Sequence, residues 1–310
     1  MVQTADTASL KMNNGRTQFG ALIKPPAPGE GGAGFKLNVA RKLGLDCIRD
    51  AVSLDNPKNK PIFNSGFKVV LNVNNNSAAN KSQAPFVTDT ADYKKRLQNQ
   101  LSLMSRKPVL LVIENEENNQ RFHGGPAQDY INQLQAAATV AHVNGIPVTN
   151  GGITFPAVLY LVYLDYLSQG KKVEAADLQQ RSSVSFSSKW LANRKDFLQQ
   201  LIAGYAKSDI DYINFHWYGK NGDTKSLEEV INYLQRVTGK PAISNEIGQQ
   251  DNSPQTVKAI LQTCRRLNLR YAIWYSGDGE RNTDEKAVGL QNNDGSLRES
   301  GDTFKEAVNE

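Results

Sequence analysis

Two glutamates follow short apolar runs that are typical of buried parallel strands. Glu116 ends the run 108–116, and Glu246 ends the run 241–246. A helical pattern follows each run, and in a barrel of alternating strands and helices the carboxyl ends of all strands open on one face. Two carboxyl groups brought together there are suited to cleaving a glycosidic bond, because one donates a proton while the other attacks or activates water.

The chain alternates apolar strands with amphipathic helices, which predicts a parallel sheet. We predict eight strands and a single (β/α)₈ TIM barrel of the α/β class, since eight is the number that closes this barrel. A doubly wound open sheet is the alternative, but no Gly-rich phosphate-binding turn follows the first strand. The predicted strands are 18–23, 46–49, 67–73, 108–116, 145–149, 211–216, 241–246 and 270–274.

The segments between these strands supply the predicted helices. Residues 56–65, after the second strand, are too short and too rich in proline to predict one. No linker or shift in composition divides the chain, so we predict one domain over residues 1–310, with about residues 1–16 as an N-terminal extension. The predicted helices are 35–43, 92–104, 127–142, 156–169, 187–206, 227–237, 254–267 and 303–308.

The composition is that of a globular protein with no sign of a nucleic-acid or membrane partner. The 310 residues are 39% hydrophobic and 22% charged, with a formal net charge of +5. The densest basic run, residues 94–96, is too short for a nucleic-acid or membrane footprint. The most apolar helix, residues 156–167, is too short to span a bilayer.

Metal and cofactor chemistry have no sequence signature here. We predict that Cys47 and Cys264 are buried thiols, and His123, His142 and His216 lack the spacing of metal ligands. We therefore expect no metal, no cofactor and a monomer. The polar start of the chain suits either a native or a trimmed mature terminus, so the compartment is open. A secreted or periplasmic location is favoured if the start is trimmed.

Each glutamate also has a simpler interpretation. Around Glu116 the strand is predicted to end or bulge near Asn115, because polar side chains there cannot all face the helices. A solvated loop is the alternative, since Glu117 and two asparagines follow. For Glu246, which precedes Ile-Gly, the alternative is a surface carboxylate or a helix cap.

Aromatic and basic residues stand near other predicted strand ends. Trp217 and Trp274 fall at strand exits, where large rings offer faces for sugar C–H groups. Packing beneath long loops is the alternative for both rings. Arg49 ends the second predicted strand and needs an acidic partner, either a carboxylate from a neighbouring strand exit or the nearby Asp50 or Asp46.

Taken in order, these residues resemble the clan of retaining glycoside hydrolases built on (β/α)₈ barrels, whose catalytic glutamates end strands four and seven. Asn115–Glu116 is similar to the Asn–Glu pair of strand four, in which the glutamate is the acid/base and the asparagine binds the sugar 2-hydroxyl. Asn245–Glu246–Ile–Gly resembles the nucleophile motif of strand seven. The resemblance covers residues 18–308.

Four more positions resemble supporting residues of the same clan. Arg49 matches the strand-two arginine that contacts the nucleophile, and His216–Trp217–Tyr218 resembles the strand-six His-x-Tyr, whose tyrosine holds the nucleophile. Trp274 matches the strand-eight aromatic that floors the subsite where cleavage occurs. The sequence departs from the clan at Glu117, where a proline is common, and at Asn245, where Thr or Ser is common.

The resemblance implies an O-glycosyl hydrolase that cleaves a β-linked oligo- or polysaccharide by double displacement. A non-catalytic carbohydrate-binding TIM barrel is the alternative, and it would keep Trp217 and Trp274 without needing both glutamates. An aldolase or a metal-dependent hydrolase would need a strand-end lysine or a His/Asp cluster, which the predicted strand ends lack. An interaction scaffold is the remaining alternative.

Overall fold

The computed structural model describes residues 16–26, 32–77, 83–182, 184–278 and 288–310. Within these residues, eight parallel strands form one sheet in the order β7-β5-β3-β2-β1-β10-β9-β8. These strands are β1 (Gln18–Ile23), β2 (Cys47–Ser53), β3 (Lys68–Asn74), β5 (Leu110–Ile113), β7 (Val148–Asn150), β8 (Ile213–Trp217), β9 (Ala242–Ile247) and β10 (Tyr271–Ser276). The remaining two, β4 (Ala84–Pro85) and β6 (His123–Gly124), pair only with each other.

The first and last strands of the sheet meet and close it into a ring. Parallel bridges join Thr149 to Tyr212 and Ile153 to Phe215. The amide of Asp211 donates to the carbonyl of Val148 at 3.0 Å. The predicted (β/α)₈ barrel is therefore confirmed, and the open-sheet alternative is wrong.

Helices connect most of the strands, as the sequence predicts. The segment after β2 forms only a 3₁₀ turn, Pro61–Asn64, and a second 3₁₀ turn spans Lys220–Gly222. The helix α5 was not predicted from the sequence; it lies between the two helices expected after β7. The helices are α1 (Gly32–Lys42), α2 (Thr90–Ser102), α3 (Ala127–Val143), α4 (Phe155–Ser168), α5 (Lys172–Arg181), α6 (Lys189–Lys207), α7 (Thr224–Thr238), α8 (Pro254–Arg266) and α9 (Glu299–Asn309).

Alternation along the strands produces two apolar layers. The larger layer lies between the strands and the helices and includes Trp217 and Trp274. The smaller layer fills the bottom of the barrel, and its members include Val70, Val112 and Ile273. Side chains that point inward above this apolar plug are polar, and they support the mouth of the barrel at the carboxyl ends of the strands.

An irregularity in β9 changes which of its side chains face inward. Asn214 of β8 pairs with Ile243 of β9, and His216 of β8 pairs with Glu246 of β9. Between these two pairs β8 advances by two residues and β9 by three, so β9 contains one extra residue. The pairing of β9 with β10 shifts over the same stretch. A bulge of this kind re-aims the side chains around the extra residue. As a result, Asn245 and Glu246 both contribute to the interior although they are neighbours in sequence.

Some sequence predictions concern residues outside the described ranges. Most of the predicted N-terminal extension, residues 1–15, lies there. Among the described residues, no helix has the length and apolar character needed to cross a membrane. Cys47 and Cys264 are both buried and free, as predicted.

Trp274 provides a test of the larger apolar layer, which lies between the strands and the helices. Its ring is 1% exposed and packs edge-on against Phe304 of α9 at 5.6 Å between ring centroids. We expect Trp274→Ala to lower the free energy of unfolding by about 3–5 kcal/mol, because the substitution leaves a cavity beneath α9. Urea unfolding followed by far-UV circular dichroism measures the change. A loss below about 1 kcal/mol would contradict burial of this ring.

Candidate active site

The mouth of the barrel holds a cleft of about 840 Å³. Five of the predicted site residues line it: Arg49, Asn115, Glu116, Tyr218 and Glu246. They come from four different strands or strand exits, so the closed barrel brings together residues that are far apart in sequence. The other lining residues include Lys24, Lys36, Asp50, Lys60, Asn72, Asn74, Phe122 and Tyr275.

The carboxylate of Glu246 is held at both of its oxygens. Arg49 Nη1 donates to Oε2 at 2.5 Å, and the hydroxyl of Tyr218 donates to Oε1 at 2.6 Å. Glu246 is 8% exposed and Arg49 is 5% exposed, so this ion pair is shielded from water. The glutamate therefore has a fixed orientation with its charge balanced.

Arg49 also binds groups from three other parts of the barrel. Nη1 donates to the carbonyl of Asn245 at 3.0 Å, and Nη2 donates to the side-chain oxygens of Asn72 at 3.0 Å and Asn115 at 2.6 Å. These bonds use the planar fork of the guanidinium group. Arg49 thereby links strands β2, β3 and β9 and the exit of β5.

Opposing effects set the pKa of Glu246. Burial alone would raise it, because the charged form loses its hydration. The positive charges of His216 and Arg49 and the hydrogen bond from Tyr218 outweigh burial, so the pKa lies well below its usual range. Glu246 is consequently ionised at neutral pH.

Glu116 lies on a tight turn that follows β5. The strand ends at Ile113, and both Glu114 and Glu116 have positive φ, 63° and 50°. Non-glycine residues rarely adopt this conformation, which costs about 1–3 kcal/mol and clusters at functional sites. The turn directs Glu116 into the cleft, where its Oε2 accepts a hydrogen bond from Asn119 Nδ2 at 2.8 Å.

The two predicted catalytic carboxyl groups lie close together. Oxygens of Glu116 and Glu246 and a ring nitrogen of His216 all lie within 4.8 Å of one another. Such a set could also hold a metal ion, but both oxygens of Glu246 already accept hydrogen bonds and the Arg49 cation lies beside them. The set therefore suits hydrogen-bonded acids better than a cation site.

His216 lies beneath the two carboxyl groups and does not reach the cleft surface. Its side chain is fully buried, so the prediction that it contacts substrate is wrong. Nδ1 is 3.1 Å from Glu116 Oε1 and 3.8 Å from Glu246 Oε1. Burial would lower the pKa of the imidazole, but the charges of Glu246 and Glu116 prevail and raise it.

The prediction that Trp217 and Trp274 present sugar-binding faces is also wrong. Both rings are at most 1% exposed and belong to the layer under the helices, where Trp217 packs edge-on against Phe155. The reason is strand alternation: β10 continues to Ser276, so Trp274 points outward and the next residue, Tyr275, points into the cleft.

Tyr275 and Phe122 line the cleft as aromatic rings in addition to Tyr218. The Tyr275 ring lies edge-on to Tyr218 at 6.1 Å between centroids, and the ammonium of Lys24 lies 5.8 Å from its centroid. Ile273 points into the barrel, and Tyr275, two residues later on the same strand, points to the same side. The sequence would therefore have identified Tyr275 if the end of β10 had been known. Phe122 lies in an irregular loop, where no periodic signal marks it.

Two further carboxyl groups flank Glu116 within the wall of the barrel. Glu114 accepts hydrogen bonds from Gln133 at 2.6 Å and from the amide of Asn75 at 2.9 Å, and burial raises its pKa to about 7. Glu117 is fully buried and accepts from Asn150 at 2.8 Å and from Tyr205. Burial raises the pKa of Glu117 as well. Both groups anchor the turn that carries Glu116.

Several supporting residues gave no signal in the sequence. Asn72, Asn119 and Asn214 look like ordinary strand or loop residues until the fold places them. His123 is the clearest omission: its Nε2 lies 2.9 Å from the carbonyl of Asn115, and its ring stacks on Phe86. This histidine belongs to the short strand β6, which was not predicted.

Comparison with known proteins identifies the type of site. Residues 157–304, which include Glu246, match the family described as glycosyl hydrolase catalytic core. This match covers just under half of the chain and does not extend to Glu116. Over the matched residues, the resemblance predicted from the sequence is confirmed. No curated protein matches the chain.

Solved structures with the same fold include glycoside hydrolases. A glucosidase from Croceicoccus marinus is 12% identical with a TM-score of 0.66, over 95% of this chain and 67% of that one. A GH128 (subgroup I) endo-beta-1,3-glucanase from Amycolatopsis mediterranei is 11% identical with a TM-score of 0.55, over 93% and 99%. A family 39 glycoside hydrolase from Bacteroides cellulosilyticus is 17% identical with a TM-score of 0.56, over 94% and 63%.

The hydrogen bond from Tyr218 to Glu246 makes a testable contribution to the charge state of Glu246. We expect Tyr218→Phe to raise the pKa of Glu246, because a bond that favours its charged form is lost. The acidic limb of the kcat/KM profile should then move to higher pH by about one unit. Tyr163→Phe, in helix α4, is the control. An acidic limb that does not move would contradict the assignment.

Proposed function

We propose that this protein hydrolyses a β-linked glucan with retention of the anomeric configuration. In this mechanism Glu246 is the nucleophile and Glu116 is the general acid and base. The observation that carries the proposal is the closeness of the two carboxyl groups, since one oxygen of Glu116 lies within 4.8 Å of one oxygen of Glu246. Retaining glycosidases hold these groups about 5–5.5 Å apart, whereas inverting enzymes leave about 6.5–9.5 Å for a water molecule.

The environment of Glu246 suits nucleophilic attack. Its carboxylate is ionised, oriented by Arg49 and Tyr218, and placed at the floor of the cleft. On attack at the anomeric carbon the glutamate loses its negative charge as the ester forms. Arg49 keeps its bonds to Asn72, Asn115 and the Asn245 carbonyl, so it stays in place through that change.

The environment of Glu116 suits proton transfer to the leaving group. This residue lines the cleft and is held by Asn119 and His216 on its two oxygens. In the first half-reaction it protonates the glycosidic oxygen as the bond to the sugar breaks. In the second it takes a proton from water, which releases the sugar from Glu246. The anomeric carbon is inverted twice, which gives net retention.

The substrate class is proposed from two observations. Several proteins that share the fold are beta-1,3-glucanases, and the one from Amycolatopsis mediterranei was crystallised with laminarihexaose. The cleft of this chain carries Phe122 and Tyr275, whose ring faces suit the apolar side of a pyranose. A β-1,3-glucan is therefore the first substrate to test.

The two carboxyl groups should respond differently to removal. We expect Glu246→Ala to lower kcat/KM on an aryl β-laminaribioside about 10⁴-fold or more, since the attacking group is lost. We expect Glu116→Ala to lower it about 10²–10⁴-fold for a poor leaving group, but far less for 2,4-dinitrophenol, which needs no protonation. Azide should restore turnover to both, and it should yield the α-glycosyl azide with Glu246→Ala and the β-anomer with Glu116→Ala.

The matched control is Glu228→Ala, because Glu228 is an exposed carboxylate on α7 that pairs with Arg266. This variant should keep wild-type turnover. Proton NMR of the first product of the wild-type enzyme reports its stereochemistry directly. Initial release of the α-anomer, or full activity of Glu246→Ala, would contradict the proposed mechanism.

Tyr275 is the proposed sugar platform. We expect Tyr275→Ala to raise KM for laminari-oligosaccharides about tenfold, since the loss of one aromatic face is worth about 1–1.5 kcal/mol. Tyr275→Phe, which keeps the ring, should leave KM within about twofold. Steady-state kinetics on laminaritetraose measures both values. Equal KM for the alanine variant and the wild type would remove Tyr275 from substrate binding.

A further inference from the structure

Two buried asparagines below the cleft fix each other's orientation. The backbone amide of Asn245 donates to Asn214 Oδ1 at 3.0 Å. A backbone N–H can only donate, so the oxygen of the Asn214 side chain must be on that side. The nitrogen of Asn214 then points the other way and donates to Asn245 Oδ1 at 2.8 Å and to the carbonyl of Asn150 at 3.0 Å.

This arrangement determines which ring nitrogen of His216 carries a fixed proton. Asn245 Oδ1 lies 3.0 Å from His216 Nε2 and can only accept, so Nε2 must donate. Reversing the Asn245 amide would place its NH₂ group against the NH₂ group of Asn214. Nε2 therefore stays protonated, and Nδ1 is the only ring atom able to exchange a proton.

The surroundings also hold the ring in place. A Cβ added at Gly152 would lie 2.3 Å from Nε2, so the backbone packs directly against the imidazole. The charged groups around the ring are Glu116 and Glu246 on the cleft side, with Arg49 and Glu117 further away. Nδ1 faces Glu116 Oε1 at 3.1 Å, which makes this oxygen the partner for proton exchange.

We propose that His216 stores, on Nδ1, the proton that Glu116 delivers to the leaving group, and that Asn214 and Asn245 are the positioning residues that reserve Nδ1 for this exchange. This proposal rests on the proposed hydrolase function. In this proposal the resting ring holds protons on both nitrogens, and Glu116 Oε1 accepts the hydrogen bond from Nδ1. Asn245 is one of the positions where this chain departs from the clan it resembles.

The proton balance closes over one turnover. As Glu246 attacks, the bond from the anomeric carbon to the leaving oxygen breaks, the Nδ1 proton passes to Glu116 Oε1, and Glu116 delivers that proton to the leaving oxygen. His216 is then neutral and the sugar is esterified to Glu246. Water next attacks the ester, and its proton passes through Glu116 back to Nδ1 as Glu246 leaves as a carboxylate. Loss of the Glu246 charge in the first half favours release of the proton when it is needed.

The protonation of the ring can be measured in the wild-type protein. The chain has three histidines, so ¹⁵N-histidine labelling gives three ring systems, and His123→Gln and His142→Gln assign them. We expect His216 Nε2 to keep its proton from about pH 5 to about pH 9, while Nδ1 alone titrates. Loss of the Nε2 proton anywhere in that range would overturn the proposal, whether or not the protein is a hydrolase.

Kinetics of Asn245→Leu test the positioning role. Without the Asn245 acceptor the ring is free to adopt the other neutral tautomer, and its imidazolium is less stable. We expect kcat/KM on phenyl β-laminaribioside to fall about 10²-fold and its basic limb to move to lower pH, with less than about threefold loss on the 2,4-dinitrophenyl analogue. Thr263→Val is the control, since it deletes a buried hydroxyl that bonds to the Ala259 carbonyl within helix α8, outside the His216 network.

The outcomes separate this proposal from the function on which it rests. Equal losses on the two glycosides, or an unmoved basic limb, would reduce Asn245 to a structural residue and overturn the proposal while leaving the hydrolase intact. Failure of the wild-type enzyme to cleave either glycoside would contradict the function itself. If Asn245→Leu does not fold, Asn214→Asp and His216→Gln are measured with the same pair of substrates and the same criteria.

Discussion

The buried ion pair between Arg49 and Glu246 is the interaction on which the rest of the site depends. Taking two charges out of water is costly, and removing one partner of such a pair typically costs about 3–5 kcal/mol. Here the guanidinium has further acceptors in Asn72, Asn115 and the Asn245 carbonyl, while Tyr218 occupies the other carboxylate oxygen. The polar layer above the apolar plug is therefore a consequence of keeping one carboxylate ionised inside a protein.

The two catalytic candidates are supported in different ways. Glu246 lies on strand β9 beside its bulge, and its partners Arg49 and Tyr218 stabilise the negative charge of its carboxylate. Glu116 lies on a turn with two residues at positive φ, and its partners, Asn119 and His216, can follow a change in its protonation. The buried side chains of Glu114 and Glu117 secure that turn from behind. A rigid carboxylate and an adaptable one thus share the same cleft.

Much of the fold was predictable because it follows from periodicity. Apolar runs of strand length alternating with helices identify the barrel, and residues at strand exits identify Glu116, Glu246 and Arg49. The choice between Trp274 and Tyr275 was not predictable, since it depends on whether β10 ends at residue 274 or 276. Because neighbouring residues of a strand face opposite sides, an error of one residue places the core side chain in the cleft and the cleft side chain in the core. His123, Phe122 and α5 lie in connections, where sequence patterns carry little information about position.

The bulge in β9 has a consequence for how such a site can arise. In a regular strand, consecutive residues occupy opposite sides, so an interior amide and an interior acid could not be adjacent. The additional residue allows Asn245 to face the imidazole while Glu246 faces the cleft. Insertion of a single residue into a barrel strand thus places an amide and a carboxylate side by side in the interior, and deletion of that residue would return one of the two to the opposite side of the strand.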